Sequence, residues 1–344
     1  MEKVVENPVE KRNSLFDNLK CLLIFLVVYA HFIENFQSIY ASEPTRVAWQ
    51  FIYLFHMPGF VFVSGYFARK GDGKIFEKVL LNQIVPLFFF QLVFEVYHWI
   101  LFHEFSGKTL DLAPYWILWY LLSLAFWRIS FQLLYKIRFL LVISVVVALV
   151  AGMVSSIGYP LSISRTFVLF PFFVLGNIFK ERGFVEKMKS GRFFPVYAVL
   201  SVLVLAGALV YVSEVKLHYG LYLNSYSYKA LKMTWEEGML YRFINLAWGF
   251  LCIAALIVLT PQKRFFASEI GKNSMIPFLL QFFLLKSLLI YRFEFYKNLY
   301  FTFIGGAVFA ALTVYIFGKE GFSALYEKLM LKIYGIFTYK DKVR

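Results

Sequence analysis

The chain has 344 residues, of which 60% are hydrophobic, 21% aromatic and only 16% charged, with a mean hydropathy of +0.66. Soluble domains are less apolar and carry about 25% charged residues, so the composition argues against two soluble domains and for one bundle of membrane-spanning helices. The net charge of +14 lies in short Lys- and Arg-bearing segments between apolar runs, which fits loops beside anionic lipid and argues against a nucleic-acid partner.

In chain order, ten spans are predicted: 15–36, 47–68, 75–102, 114–135, 139–157, 166–180, 194–213, 241–260, 273–291 and 299–318. A crossing of ~30 Å takes about 20 residues. The apolar run 21–30 has no small-residue cleavage site after it, so it is read as a retained helix and not a signal peptide. Pro171 interrupts the sixth run and shortens it, which a membrane helix tolerates when neighbours satisfy the freed carbonyl. Most of the 35 Lys and Arg fall in one alternating set of connections: the N-terminal arm with Lys11 and Arg12, then 69–78, 136–138, 180–192, 263–272 and the C-terminal tail. The other set, 37–46, 103–113, 158–165, 214–240 and 292–298, holds few. The positive-inside rule then places both termini in the cytoplasm.

The expected fold is therefore an all-α integral membrane protein of the plasma membrane, with about ten transmembrane helices in a single domain over 1–320. A tail follows over 321–344. Its Phe322, Leu325, Leu329, Ile333 and Ile336 lie among Lys328, Lys332 and Lys340, the spacing of an amphipathic helix on the inner leaflet; a helical tail without a role fits equally. Cys21 and Cys252 lie inside apolar runs and read as small buried hydrophobes, with no disulfide framework and no metal site.

Titratable groups at membrane depth ask for a partner or a purpose. His31 lies about 16 residues into the first span, ~24 Å from its cytoplasmic end at about 1.5 Å per residue. His56, about nine residues into a second span that descends from outside, reaches a similar depth in the outer half. Each has a structural alternative: His31 as a core histidine bonded to a neighbouring helix, and His56 satisfying a carbonyl freed by the bend at Pro58. Asp17 and Lys20, three apart on one helical face, form either a local ion pair or a charged wall for an anionic donor. Arg12, Arg69 and Lys70 lie at the same level and serve either as phosphate-binding groups or as positive-inside anchors. Glu95 and His98 are spaced for a carboxylate–imidazole pair near the outer end of the third span, or sit in the wet interface, and Arg165 occupies a similar place at the start of the sixth. There is no nucleophile elbow, phosphate-binding loop, dinucleotide fingerprint or clustered Cys/His signature. A histidine near an accessible face suits general-base work on a hydroxyl, and a basic mouth suits a phosphorylated donor.

Five segments carry a resemblance. Arg12-Asn13-Ser14-Leu15-Phe16-Asp17-Asn18-Leu19-Lys20 followed by Tyr29-Ala30-His31, and Phe55-His56-Met57-Pro58 followed by Ser64-Gly65-Tyr66, resemble the first two helices of the membrane acyltransferase-3 family. Trp116-Ile117-Leu118-Trp119-Tyr120-Leu121, the stretch from Arg165 through Pro171 to Gly176, and Ile270-Gly271-Lys272-Asn273-Ser274-Met275 continue the likeness in the expected order. It covers about 10–320 and is nearest to the branch of fucose 4-O-acetylase-like proteins. The resemblance implies a ten-helix enzyme that takes an acyl group, usually acetyl, from cytoplasmic acyl-CoA. The acceptor it implies is a sugar hydroxyl of a surface glycan or its lipid-linked precursor. His31 matches the family's essential histidine, and Arg12 and Arg69 match basic positions on the donor's side. Where relatives often carry a histidine late in the ninth helix, this chain has Gln281, which hydrogen-bonds but shuttles no proton. The resulting expectation has His31 as general base or transient acyl carrier. His56, Glu95, His98 and Arg165 support the acceptor, while Arg12, Asp17, Lys20 and Arg69 hold the donor, with no metal. The competing reading is a transporter or flippase for a polysaccharide or lipid intermediate, without chemistry.

Overall fold

A computed structural model of the chain describes residues 13–36, 42–106, 113–158, 160–290 and 298–338, and all regular structure among them is helical. In order these are α1 (Ser14–Phe36), α2 (Glu43–Tyr66), α3 (Ile75–Phe102), α4 (Trp116–Leu134), α5 (Leu140–Met153), α6 (Ile163–Arg182), α7 (Phe184–Lys189), α8 (Phe194–Glu214), α9 (Tyr219–Leu223), α10 (Trp235–Leu259), α11 (Phe266–Lys272), α12 (Met275–Ile290), α13 (Phe301–Phe317) and α14 (Glu320–Phe337). Seven are long and apolar enough to cross a membrane, or up to nine spans among the described residues if each of two bent pairs counts as one. The bent pairs are α11 with α12, at 79°, and α13 with α14, at 62°. The expected spans at 273–291 and 299–318 qualify only as parts of those bent pairs, and the one at 139–157 falls short of a span's length. At 139–157 the helix α5 ends in a 3-10 turn where the Gly152 carbonyl accepts the amide of Tyr228 at 2.8 Å, and the chain continues in further single 3-10 turns.

Helix α1 is the central element. Phe16, Leu23, Ile24, Val27, Val28 and Ala30 are fully buried, because α2, α11, α12 and α13 all pack on it. The contact with α11 is close: a Cβ added at Gly271 would stand 1.7 Å from the Asp17 carbonyl oxygen. Asn18 locks the approach, donating to the Pro261 and Lys263 carbonyls at 2.8 and 3.0 Å and accepting from the Ser268 hydroxyl at 2.6 Å. Asn273 ties the same turn to the Gly318 carbonyl at 2.8 Å. The segment 270–275 is thus a clamp built from backbone contacts.

Helices α2 and α6 meet through two facing glycines. A Cβ at Gly65 would lie 1.9 Å from the Phe173 carbonyl oxygen, and one at Gly176 would lie 2.1 Å from that of Phe62. Small residues at such a crossing let two backbones touch, which is how helices associate where no hydrophobic drive between them exists. At the other extreme, α8 leaves Val199 and Leu203 each 60% exposed. An apolar face of that kind is stable only against lipid.

Hydrogen bonds sort the connections into two ends. Gln132 reaches the Arg69 carbonyl at 2.6 Å, Asn177 reaches Ala68 at 3.2 Å, and Lys189 donates to Val258 and Thr260 at 2.7 and 2.6 Å. These join the Lys- and Arg-bearing connections into a basic end. At the far end Arg46 donates to the Val212 and Ser213 carbonyls at 2.8 and 3.0 Å, and Gln50 to Leu217 at 2.9 Å.

Candidate active site at the far end

A cavity of about 520 Å3 opens among the far ends of α1, α2, α3, α4, α6 and α12. His31, His56, His98 and Arg165 all line it, so four of the sequence-predicted residues converge. Among its other polar walls, sequence reasoning missed Glu34, Tyr53, Glu104 and Lys286 and held Trp116 only as part of a quoted motif. An aromatic near a span end reads as an interfacial anchor, and no spacing rule links positions 31, 116 and 286.

His31 is 8% exposed, and its Nδ1 lies 3.1 Å from Gln281 Oε1. The Gln281 side-chain nitrogen donates to the Phe278 carbonyl at 3.0 Å, which fixes which way the amide points, since a carbonyl only accepts. Gln281 Oε1 is therefore an acceptor, His31 Nδ1 carries the proton, and the lone pair rests on His31 Nε2. This is the tautomer a general base needs. Gln281, noted in the sequence only as a departure, is fully buried and orients the histidine from the opposite helix.

The Trp116 ring lies 4.6 Å from the His31 ring, and the Lys286 ammonium sits 5.5 Å from the centre of the same indole. Trp116 has a φ of 41°, a left-handed backbone that costs a bulky residue on the order of 1–3 kcal/mol. Gln91 of α3 holds the segment there, accepting from the Tyr115 amide at 2.8 Å. Strain kept in place beside a buried histidine is a mark of a working site. Glu34 accepts from the Tyr53 hydroxyl at 2.6 Å. Arg165 donates to the Leu223 carbonyl at 3.0 Å and the Ser225 hydroxyl at 3.3 Å while lying 4.9 Å from the Trp119 ring centre.

Two expectations need correcting. Glu95 and His98 do not pair: Glu95 accepts from the Ser106 amide at 2.7 Å and from its hydroxyl, fixing the turn after α3, while His98 Nδ1 shares a 2.7 Å hydrogen bond with the Tyr115 hydroxyl. Residues three apart on a helix diverge once each finds a nearer partner on another segment. His56 does not cap a carbonyl freed by Pro58, which would be that of Leu54. Its Nδ1 donates to the Ile52 carbonyl at 2.8 Å, one turn back on its own helix.

The described donor residues Asp17, Lys20 and Arg69 lie at the basic end and are not gathered into one pocket. Arg12 lies outside the described residues. Asp17 and Lys20 form the local ion pair, at 2.8 Å, against α11. Arg69 lines a cavity of about 120 Å3 with Asp72, Lys78, Arg128 and Gln132. There Lys78, 2.6 Å from Asp72, holds that carboxyl below its ordinary value of 3.8. Arg128 is drawn in by a π-helical turn of α3 at Leu80–Ile84, which aims the buried Gln83 at it at 3.4 Å. Such a turn inserts one residue and re-aims the side chains beyond it.

Residues 13–318 match the family model described as an acyltransferase domain. The chain belongs to the acyltransferase-3 family. It is similar to the nodulation protein NolL of Sinorhizobium fredii, 29% identical over 196 residues that cover 49% of each chain, so it spans about half the length of that curated relative. No solved structure matches. The family match encloses both the His31 cavity and the clamp at Gly271.

Proposed function

We propose that this acyltransferase moves a short acyl group, acetyl by preference, from acyl-CoA to a sugar hydroxyl of a surface glycan or its lipid-linked precursor, as fucose 4-O-acetylase-like relatives would. The reading is carried by the His31–Gln281 pair at the wall of a polar, aromatic-lined cavity. In it the protein lies in the plasma membrane with both termini and the basic end in the cytoplasm, the domain runs over 1–320, and residues 321–344 form the amphipathic tail. Donor phosphates are drawn to the basic end by Arg12, Lys20 and Arg69, with Asp17 orienting Lys20. The acceptor enters from the far end.

As the sugar hydroxyl oxygen attacks the acyl carbonyl carbon, its proton passes to His31 Nε2. The carbon–sulfur bond breaks, and the thiolate takes up the proton to leave as the free thiol. An acyl-histidine route uses the same nitrogen. Trp116 and Trp119 offer flat faces to a sugar ring. His56, His98 and Arg165 line the bed for its hydroxyls, and Glu95 supports that bed through Ser106.

The test is release of free thiol from acetyl-CoA by the purified protein, with cell-surface glycans analysed by mass spectrometry for a lost acetyl increment when the gene is deleted. Thiol release dependent on a sugar acceptor is expected. Substrate movement across proteoliposomes with no acetyl-CoA consumed would replace this reading with transport.

A further inference from the structure

Beside the acyl-transfer cavity lies a second, much smaller one of about 20 Å3, between α2, α6 and α10. Tyr53, Leu169, Tyr222, Asn224, Arg242 and Asn245 are among its walls. We propose that it is a binding site for a single monatomic anion, chloride under physiological conditions, with Arg242 as the counter-charge.

Arg242 is 1% exposed, inside a span, and among the described residues no carboxylate lies within ion-pairing distance of it. A guanidinium stays protonated in a protein, so this charge cannot be relieved by losing a proton. Its two terminal nitrogens are used: Nη1 donates to the Ala148 carbonyl at 3.2 Å and Nη2 to that of Tyr226 at 3.3 Å, with the Tyr228 ring 4.6 Å below. Its Nε–H is buried and has no acceptor. One turn along α10, Asn245 accepts from the Tyr211 hydroxyl at 2.9 Å, which turns its amide nitrogen away, and that nitrogen too is buried without an acceptor. Both residues line the same cavity.

Buried donors in native structures nearly always have acceptors. Two such donors on residues that line one small cavity therefore point to a shared acceptor within it. A water would satisfy the hydrogen bonds but leave the guanidinium charge buried in low dielectric. The carbonyl dipoles of Ala148 and Tyr226 offset only part of that charge. An anion answers both needs. Size narrows the choice further: about 10–15 Å3 holds one water-sized sphere, so this space suits a single atom and not a sulfate or phosphate.

The position gives the ion a role in the neighbouring site. Asn224, a wall of both cavities, lies between Leu223 and Ser225, whose oxygens hold Arg165. A bound anion would brace the segment that sets Arg165 in the acyl-transfer cavity.

The experiment titrates sodium chloride into sodium gluconate at constant ionic strength and follows the Tm of the purified full chain. A saturable rise in Tm is expected, absent in Arg242→Gln, and Asn245→Leu should raise the half-saturating chloride concentration at least tenfold. Crystals grown in bromide should show an anomalous peak between Arg242 and Asn245. Should Arg242→Gln fail to fold, the Asn245→Leu shift and the bromide peak decide. A Tm indifferent to chloride, a dependence unchanged in either variant, or bromide-grown crystals with no peak in this cavity would overturn the proposal.

Discussion

The basic end of the bundle and the cavity at its far end treat charge differently. At the basic end five carboxylates are each matched to a cation: Asp17 with Lys20, Glu181 with Lys70, Asp72 with Lys78, Glu269 with Arg264 and Glu320 with Lys272. At the far end Glu43 pairs with Arg46 and Lys216, but Glu34, Glu104, Arg165 and Lys286 line one open cavity, and among the described residues no ion pair joins any two of these four. Exposed ion pairs contribute little, on the order of 0.2–1 kcal/mol each, and shape a surface. Charges that face a half-enclosed cavity direct their field at a ligand. The comparison teaches where to look for recognition: at the cavity, whose carboxylates and cations are not joined to one another.

The largest test of that contrast is His31→Ala, which should lower thiol release from acyl-CoA by about 10²–10⁴-fold, the usual contribution of a general base, while the protein still folds. Full turnover in a folded His31→Ala protein would move the chemistry away from the far end. Gln281→Leu comes next. Losing the acceptor for His31 Nδ1–H leaves a buried donor unsatisfied, at about 1–3 kcal/mol, so kcat should fall by roughly tenfold or more, with Gln281→Glu restoring most of it. Equal loss in both variants would show that packing, and not the tautomer, matters there.

Lys286→Met should raise the acceptor KM by about threefold to tenfold, the size of one hydrogen bond, and leave kcat nearly unchanged. An unaltered KM would mean that the ammonium over Trp116 faces no ligand. The smallest effect belongs to the basic end. Lys78 depresses the Asp72 pKa, so the stability this pair adds is complete above the ordinary value of 3.8 and fades as the pH falls through the lowered folded value. Asp72→Asn should therefore cost on the order of 0.2–1 kcal/mol at pH 7, read by thermal unfolding, and nothing once the pH lies below the folded value. A large loss, or loss of acyl transfer, would make Asp72 part of donor binding.

Much of the scaffold was legible in the residues. Each of the ten apolar segments holds a helix, because the length of apolar sequence is itself the physical requirement for crossing lipid. The segment at 139–157 shows the limit: composition marks it as apolar but not that Tyr228 would take the Gly152 carbonyl. Likewise Gly65, Gly176 and Gly271 stood out only as parts of quoted motifs, and the backbones they admit belong to other helices.

Within the site, His31 was visible because a titratable group at membrane depth is costly wherever it points. Its orientation was not, since Gln281 lies 250 positions away and the bond between them exists only once α1 and α12 are adjacent. The same reason explains the mistaken Glu95–His98 pair, for helical spacing says which side chains share a face and is silent on nearer partners elsewhere. Composition and charge alone therefore determined that this protein is a helical membrane bundle with a basic end, because transfer from water to lipid acts on each segment independently. Packing alone decided which polar groups meet, which nitrogen of His31 holds the proton and where Arg242 is buried, because hydrogen bonds between distant segments depend on positions that no single segment contains.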